Sequence, residues 1–305
     1  MTNPSGLRTR IAPTPSGLLH PGNGLSFILT WGLARAAGGR VLLRIDDLDK
    51  ARTREAYVAD IFETLEWLGL DYDEGPTGVE DFFRSWSQHT RMEEYHSYLS
   101  KLKGQGTLFA CTCSRRQVRE MASDGQYPGT CSGKGLPFEG GQTAWRVAAP
   151  APGQSITLAL WPEGPSEQHL ETIDAFVVRQ KNGAPAYQLA SLVDDLRFHI
   201  NFVVRGEDLW GSTLSQHYLA GLLGLRAFQE AWFWHHPLIT DEQGHKLSKS
   251  KGAGSLRAWR EAGSGPAALY RQAARVLGLE AGADTPSSFL EAIRAAKIIG
   301  PEWKK

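Results

Sequence analysis

Arg10-Ile-Ala-Pro-Thr-Pro-Ser-Gly-Leu-Leu-His20-Pro-Gly22-Asn23 is the stretch on which the fold turns. Before it, Leu7 to Ala12 reads as a strand that stops at the turn cluster Pro13-Thr-Pro-Ser-Gly17. After it, a helical pattern runs from Gly24 to Ala37 and ends at Gly38-Gly39, residues suited to a helix C-terminus. Val41 to Ile45 is a short apolar run of the kind that makes a buried strand. Strand, loop, helix and strand in that order predict a βαβ unit and therefore a parallel sheet. A Gly-bearing turn from strand to helix can bring backbone N–H groups and a helix N-terminus to a phosphate. His20 and Gly22 would meet the same phosphate. Taken alone, the stretch serves equally as a Pro/Gly-rich connection.

The pattern continues outward from this unit. Thr53 begins a helix in which Val58, Ile61, Phe62, Leu65 and Leu68 form one apolar stripe. Arg91 to Lys103 predicts a second helix. Strands are expected at Leu108–Ala110, Ala144–Val147, Ile156–Leu160, Phe176–Arg179, Phe202–Val204 and Trp232–Ile239. Ser212 is placed to cap a helix through Leu223. Residues 255–298 read as helical, broken at Gly263–Pro266 and Gly282–Pro286.

Composition narrows the function classes. Lys+Arg and Asp+Glu are both 33, so the net charge is zero, which argues against coating nucleic acid through a general positive field and leaves room for a local basic patch. The three cysteines, Cys111, Cys113 and Cys131, make a poor disulfide framework, and a reduced, cytoplasmic chain with a metal site fits them better. The N-terminal residues lack the apolar stretch of a signal peptide, and no run is apolar enough for a membrane span.

A second motif, Gly244-His-Lys246-Leu-Ser-Lys249-Ser-Lys251-Gly252, places three lysines among small residues. Such a loop suits the neutralisation of a pyrophosphate leaving group. Alone it is more simply a solvated surface loop; following the His20 turn in this order, it makes a specific pair. The two motifs resemble the "HIGH" and "KMSKS" signatures of class I aminoacyl-tRNA synthetases. Arg10–Gly17, Leu43-Arg-Ile-Asp-Asp-Leu-Asp49, Tyr187-Gln-Leu-Ala-Ser-Leu-Val-Asp-Asp195 and Val204-Arg-Gly-Glu-Asp-Leu209 are similar to the glutamyl subgroup.

The resemblance implies a Rossmann-like α/β catalytic domain and a set of roles. Pro13, His20, Gly22, Asn23 and Lys249 would bind ATP, with Mg²⁺ accompanying it. Lys249, helped by Lys246, would stabilise charge as pyrophosphate leaves. Arg10, Ala12 and Thr14 would line the pocket for L-glutamate. Tyr187 and Arg205 would hold its carboxylates and Asp46 its amino group. Read as residues alone, Arg44 and Arg205 are more simply ion-paired to Asp47 or Glu207 at a strand end, and Tyr187 is more simply a core aromatic. Two positions depart from the family pattern. Asp46 stands where a longer glutamate is usual, and Asn23 where the signature ends in His.

Cys111-Thr-Cys113 followed by Tyr127-Pro-Gly-Thr-Cys131 supplies three thiolates and an oxygen donor, enough to close a tetrahedral structural Zn²⁺ site. The residues alone leave the fourth ligand open. The spacing resembles the short paralogues of glutamyl-tRNA synthetase, which implies Tyr127 as that ligand. In those paralogues glutamate is activated without tRNA and passed to queuosine in the anticodon of tRNA(Asp). The 54 residues after Lys251 are enough for two or three helices, with no large anticodon-binding region expected there. The expected organisation is a first catalytic half at 1–110, a zinc-binding insertion at 111–142, a second half at 143–254 and a C-terminal helical segment at 255–305. A monomer is expected. Arg115, Arg116 and Arg119 are candidates for tRNA phosphate contacts, as well as residues of a solvated helix face. Two other functions compete: an adenylate-forming ligase with another acceptor, and a synthetase-like binding module without catalysis.

Overall fold

A computed structural model describes residues 6–122, 126–139, 142–238, 254–279, 282–300 and 302–303. In chain order the elements are β1 (Arg8–Ile11), α1 (Pro21–Ala36), β2 (Arg40–Leu43), α2 (Glu55–Leu68), α3 (Met92–Gly104), β3 (Leu108–Cys111) and α4 (Arg115–Met121). There follow β4 (Ala144–Val147), β5 (Ser155–Leu160), β6 (Gly164–His169), β7 (Val177–Arg179), α5 (Tyr187–Arg197), β8 (Phe202–Gly206) and α6 (Trp210–Leu223). The last are β9 (Trp232–His236), α7 (Leu256–Glu261), α8 (Ala267–Val276) and α9 (Pro286–Ala295). They form two compact units, one of Met1–Thr90, Ile200–Asp208 and Phe233–Lys305, the other of Arg91–His199 and Leu209–Trp232.

The first unit is built on the expected βαβ element. β1 and β2 pair in parallel, from Arg8 opposite Arg40 to Ile11 opposite Leu43. β8 lies along the other side of β1, where the Arg8 N–H donates to Asn201 Oδ1 (2.8 Å) and the Asn201 N–H donates back to the Arg8 carbonyl (3.0 Å). α1 begins at Pro21, three residues before its apolar pattern, because His20 serves as the N-cap and proline suits the first helical position. Leu25, Ile28, Leu29 and Leu33 of α1 are all fully buried. The helix is apolar on several sides because it meets β1 and β8 as well as α8 and α9. Gly32 permits the approach of α9, since a Cβ there would lie 2.5 Å from the Phe289 ring. On α2 the stripe residues Val58, Ile61, Leu65 and Leu68 are buried, with Phe62 only partly so.

The second unit contains an antiparallel sheet in the order β3-β4-β7, and a β5–β6 hairpin paired from Ser155–His169 to Leu160–Gly164. α3 packs on α5 and α6. Its centre is a polar clasp. Asp194 of α5, fully buried, accepts from Arg91 Nε (2.9 Å) and Nη2 (3.0 Å), and from the Tyr95 hydroxyl (2.7 Å). Ser212 does not cap α6. A helical turn at Glu207–Leu209 runs straight into it with Leu209 as N-cap, and the Ser212 hydroxyl instead accepts from Gln188 Nε2 (3.2 Å).

Removing one partner of a buried ion pair strands the other charge in a low-dielectric interior. Asp194→Ala is expected to lower stability by about 3–5 kcal/mol, measured as the shift in urea unfolding free energy. A loss within experimental error would show that the clasp carries no weight.

Candidate active site and metal centre

The parallel strands of the first unit end at one edge, the usual ligand edge of an α/β sheet. There the Arg44 N–H donates to the Ile11 carbonyl and the Asp46 N–H to the Pro13 carbonyl, both at 2.9 Å, so the two strand exits are laced together. Arg10 is buried, and its Nη1 donates to the Val204 carbonyl on β8 (3.4 Å). Pro13 is buried, Ala12 partly buried and Thr14 exposed.

The turn into α1 leaves little backbone unbound. The His20 N–H donates to Asn23 Oδ1 (3.0 Å), and the His20 carbonyl accepts from the N–H groups of Asn23 (2.9 Å) and Gly24 (3.3 Å). Asn23, the departure from the signature, therefore acts as half of a helix cap. Gly22 is required beneath the His20 ring, because an added Cβ would come within 2.9 Å of its Cε1. The arrangement offers a helix N-terminus with a histidine beside it, a site that favours an anion.

Asp46 and Arg44 are both buried and joined by two hydrogen bonds, Arg44 Nε to Oδ1 (2.7 Å) and Nη2 to Oδ2 (3.0 Å). Arg44 thus pairs with Asp46 rather than Asp47. Asp47 accepts from the Ser87 hydroxyl (2.6 Å) and the Gln88 N–H (2.7 Å). Arg205 is buried at the end of β8, with its guanidinium 5.2 Å from the Phe233 ring centre. Burial, followed by the nearby Arg205 charge and by His236, pushes the His235 imidazole down to about 3. Glu207 Oε1 accepts from the Leu238 N–H (3.3 Å). Lys246 and Lys249 lie outside the described residues. Leu256, three residues after that segment, donates its N–H to the Leu19 carbonyl (2.8 Å), next to His20. In the second unit Tyr187, 40% exposed at the first turn of α5, is no core aromatic.

The same unit carries the cysteines. The Sγ atoms of Cys111, Cys113 and Cys131 lie within 4.8 Å of one another. Cys113 and Cys131 are 3.7 Å apart, and Cys111 Sγ is 3.4 Å from the Tyr127 oxygen. A tetrahedron with Zn–S of about 2.3 Å and Zn–O of about 2.0 Å asks for edges of roughly 3.8 and 3.5 Å; the Cys113–Cys131 and Cys111–Tyr127 spacings match those two edges, and the cysteine triad is compatible with a zinc ion. Burial pushes Cys113 up to about 11. It also raises Cys131, but hydrogen bonds led by that of Tyr127 outweigh it and bring that thiol down to about 6. Tyr127 is held on two sides: its N–H donates to Asp174, and the Arg146 guanidinium stacks 3.8 Å over its ring. Among the described residues the cluster's apolar surroundings are few, namely Ala175 with Phe109, Val118 and Leu136.

Residues 6–298 match the family model described as tRNA synthetases class I (E and Q), catalytic domain. The chain belongs to this family of ligases. Among individual relatives it is 39% identical to the glutamyl-Q tRNA(Asp) synthetase of Verminephrobacter eiseniae, over 89% of this chain and 89% of that one. It is 34% identical to glutamate–tRNA ligase 2 of Syntrophus aciditrophicus, covering 95% of this chain and 61% of the relative. The crystal structure of glutamate–tRNA synthetase from Elizabethkingia anophelis shares the fold, with a TM-score of 0.70 at 21% identity over 94% of this chain and 65% of that structure. No helix among the described residues is long and apolar enough to cross a membrane.

Two residues beside the His20 turn escape a motif reading. Asp60 and Thr64 are polar yet fully buried on the face of α2 next to its apolar stripe, and Arg260 of α7 reaches both. An acid and a threonine four apart, falling among apolar positions, is the signal that sequence offers for them.

Two outcomes follow from this geometry. Protein purified without chelator is expected to contain one zinc per chain by elemental analysis. Cys113→Ser should lose it and speed proteolysis within 111–142 while sparing the first unit; wild-type protein without zinc would contradict this. The second concerns acid. The unfolded chain protonates His235 near its usual 6.5, whereas the folded chain resists until about 3. The unfolded state therefore binds more protons in that window, and stability falls as pH drops through it. Replacing His235 by Gln should flatten the fall in thermal midpoint on acidification from neutral pH; an unchanged slope would remove His235 as its source.

Proposed function

We propose that the chain activates glutamate with ATP as glutamyl-adenylate and transfers it to queuosine in tRNA(Asp). The observation that carries the first half is the His20 turn. A helix N-terminus opens at the carboxyl edge of a parallel sheet, with its backbone capped and Gly22 kept clear beneath the imidazole. In this reading His20, Gly22 and Asn23, with Pro13 behind them, receive the ATP phosphates. A glutamate α-carboxylate oxygen attacks the α-phosphorus, the bond to the bridging oxygen breaks, and pyrophosphate leaves. Lys249 and Lys246 are the proposed cations for that departing charge, and Mg²⁺ would accompany ATP. Positioning and cationic stabilisation do most of this work, with little demand for acid–base groups.

Arg10, Ala12 and Thr14 are assigned to the amino-acid pocket, and Tyr187 and Arg205 to the substrate carboxylates. Asp46 remains the proposed partner of the ammonium group. Its carboxylate lies at the ligand edge of the sheet, oriented there by Arg44. Zinc, bound by Cys111, Cys113, Tyr127 and Cys131, would hold its segment folded and take no part in the chemistry.

The acceptor is supported by the name of the 39%-identical relative and by the cysteine–tyrosine set. In the second step a queuosine hydroxyl attacks the acyl carbon and AMP departs. The relative named glutamate–tRNA ligase 2 supports the competing acceptor, a tRNA 3′ end. Labelled glutamate, ATP and tRNA(Asp) lacking its 3′-terminal adenosine separate them. Acid-stable transfer that needs queuosine and survives the trimming is expected. Label that ignores queuosine and requires the intact 3′ end would make this chain a glutamyl-tRNA synthetase instead.

A further inference from the structure

We infer that Asp60 and Arg260 are positioning residues for the adenylation step, acting through the backbone of Leu19. The inference rests on the proposed ATP site at the His20 turn. It starts from the two polar groups of the Leu19 backbone, which face different helices. Its N–H donates to Asp60 Oδ2 on α2 (3.2 Å), and its carbonyl accepts from the Leu256 N–H at the start of α7 (2.8 Å). The two helices are in turn joined, because Arg260 Nη2 donates to Asp60 Oδ1 (2.7 Å) and Nη1 to the Thr64 hydroxyl (2.7 Å). Leu256 and Arg260 are four apart on α7 and so share one face of it. The contacts close a ring: Leu19, Asp60, Arg260, Leu256 and back to Leu19.

This ring is buried where it matters. The Asp60 side chain is 1% exposed and that of Arg260 14%. Water therefore competes weakly for either charge, and Arg260 Nη2 also donates to Glu63 Oε2 (2.8 Å), a more exposed carboxylate on the same helix as Asp60. Leu19 precedes His20 directly, and His20 is the cap of α1. A shift of the Leu19 peptide rotates the His20 side chain and moves the N-terminus of α1 against the sheet edge. A further consequence concerns the chain that follows the lysine motif. Leu256, at the start of α7, is fixed to the residue beside His20, and the other polar group of that same peptide is held by the Asp60 carboxylate. Neither Asp60 nor Arg260 touches a substrate in this account.

The test is glutamate-dependent exchange of label between pyrophosphate and ATP, with full-length wild type, Asp60→Asn, Arg260→Gln and the double variant. Asn keeps the size of Asp and one carbonyl oxygen, so it can serve Leu19 or Arg260 but not both. Each single variant is expected to lose roughly 10- to 100-fold in kcat, with KM for glutamate within about twofold of wild type. The double variant should be no worse than the poorer single, since both break one ring. Unfolding midpoints must stay above the assay temperature; Arg260→Lys, which keeps the charge, should recover part of the rate and serves if Asp60→Asn does not fold. Wild-type kcat in a folded Asp60→Asn or Arg260→Gln protein would overturn the inference, as would losses that simply add in the double variant. Absence of exchange in wild type would instead fell the adenylation reading on which the inference stands.

Discussion

The structure depends on how the chain leaves β1 and becomes α1. A helix N-terminus begins with N–H groups that have no partner within the helix, and here it opens at the edge of a parallel sheet. Asn23 takes the His20 N–H, Asp60 the Leu19 N–H, and Leu256 supplies a donor to the Leu19 carbonyl. With these groups satisfied by α2, α7 and the helix itself, the turn can hold one shape without a ligand. A pre-organised site needs that property, because geometry set in advance is not paid for in the transition state.

Much of this was legible in residues. The βαβ unit, the α2 stripe and the breaks in the C-terminal helices follow from periodicity and from Gly and Pro, signals that act locally. What escaped was set by neighbours distant in sequence. β6, Gly-Pro-Ser-Glu-Gln-His, carries no apolar alternation, and its strand form comes from pairing with β5. Ser212 looks like a cap but lies within a helix that a preceding turn has already started. Arg44 binds Asp46 rather than Asp47, because Asp47 is taken by Ser87 and Gln88, some forty residues on. Asp60 is a buried acid whose value shows only once Leu19 and Arg260 are beside it.

The cysteine segment follows a different economy. Its apolar contacts among the described residues are few, and the proposed zinc would supply order through binding coupled to folding. Tyr127 joins the two sources of order. Its oxygen lies among the sulfurs, while its ring is stacked on by Arg146 of β4 and lies near Phe109 of β3. The donor set is therefore built onto a sheet as well as onto a loop. In the proposed zinc site, that puts a tyrosine where zinc more often takes cysteine or histidine.

The central claim is that a reacting phosphate sits at the N-terminus of α1. A crystal structure with the non-hydrolysable glutamyl-sulfamoyl adenosine addresses it most directly, since the sulfamoyl group stands in for the α-phosphate. The account places that group at the head of α1, beside His20 and Gly22, with the glutamyl side chain toward Arg10 and Arg205. An analogue bound with its sulfamoyl group away from this turn would contradict it.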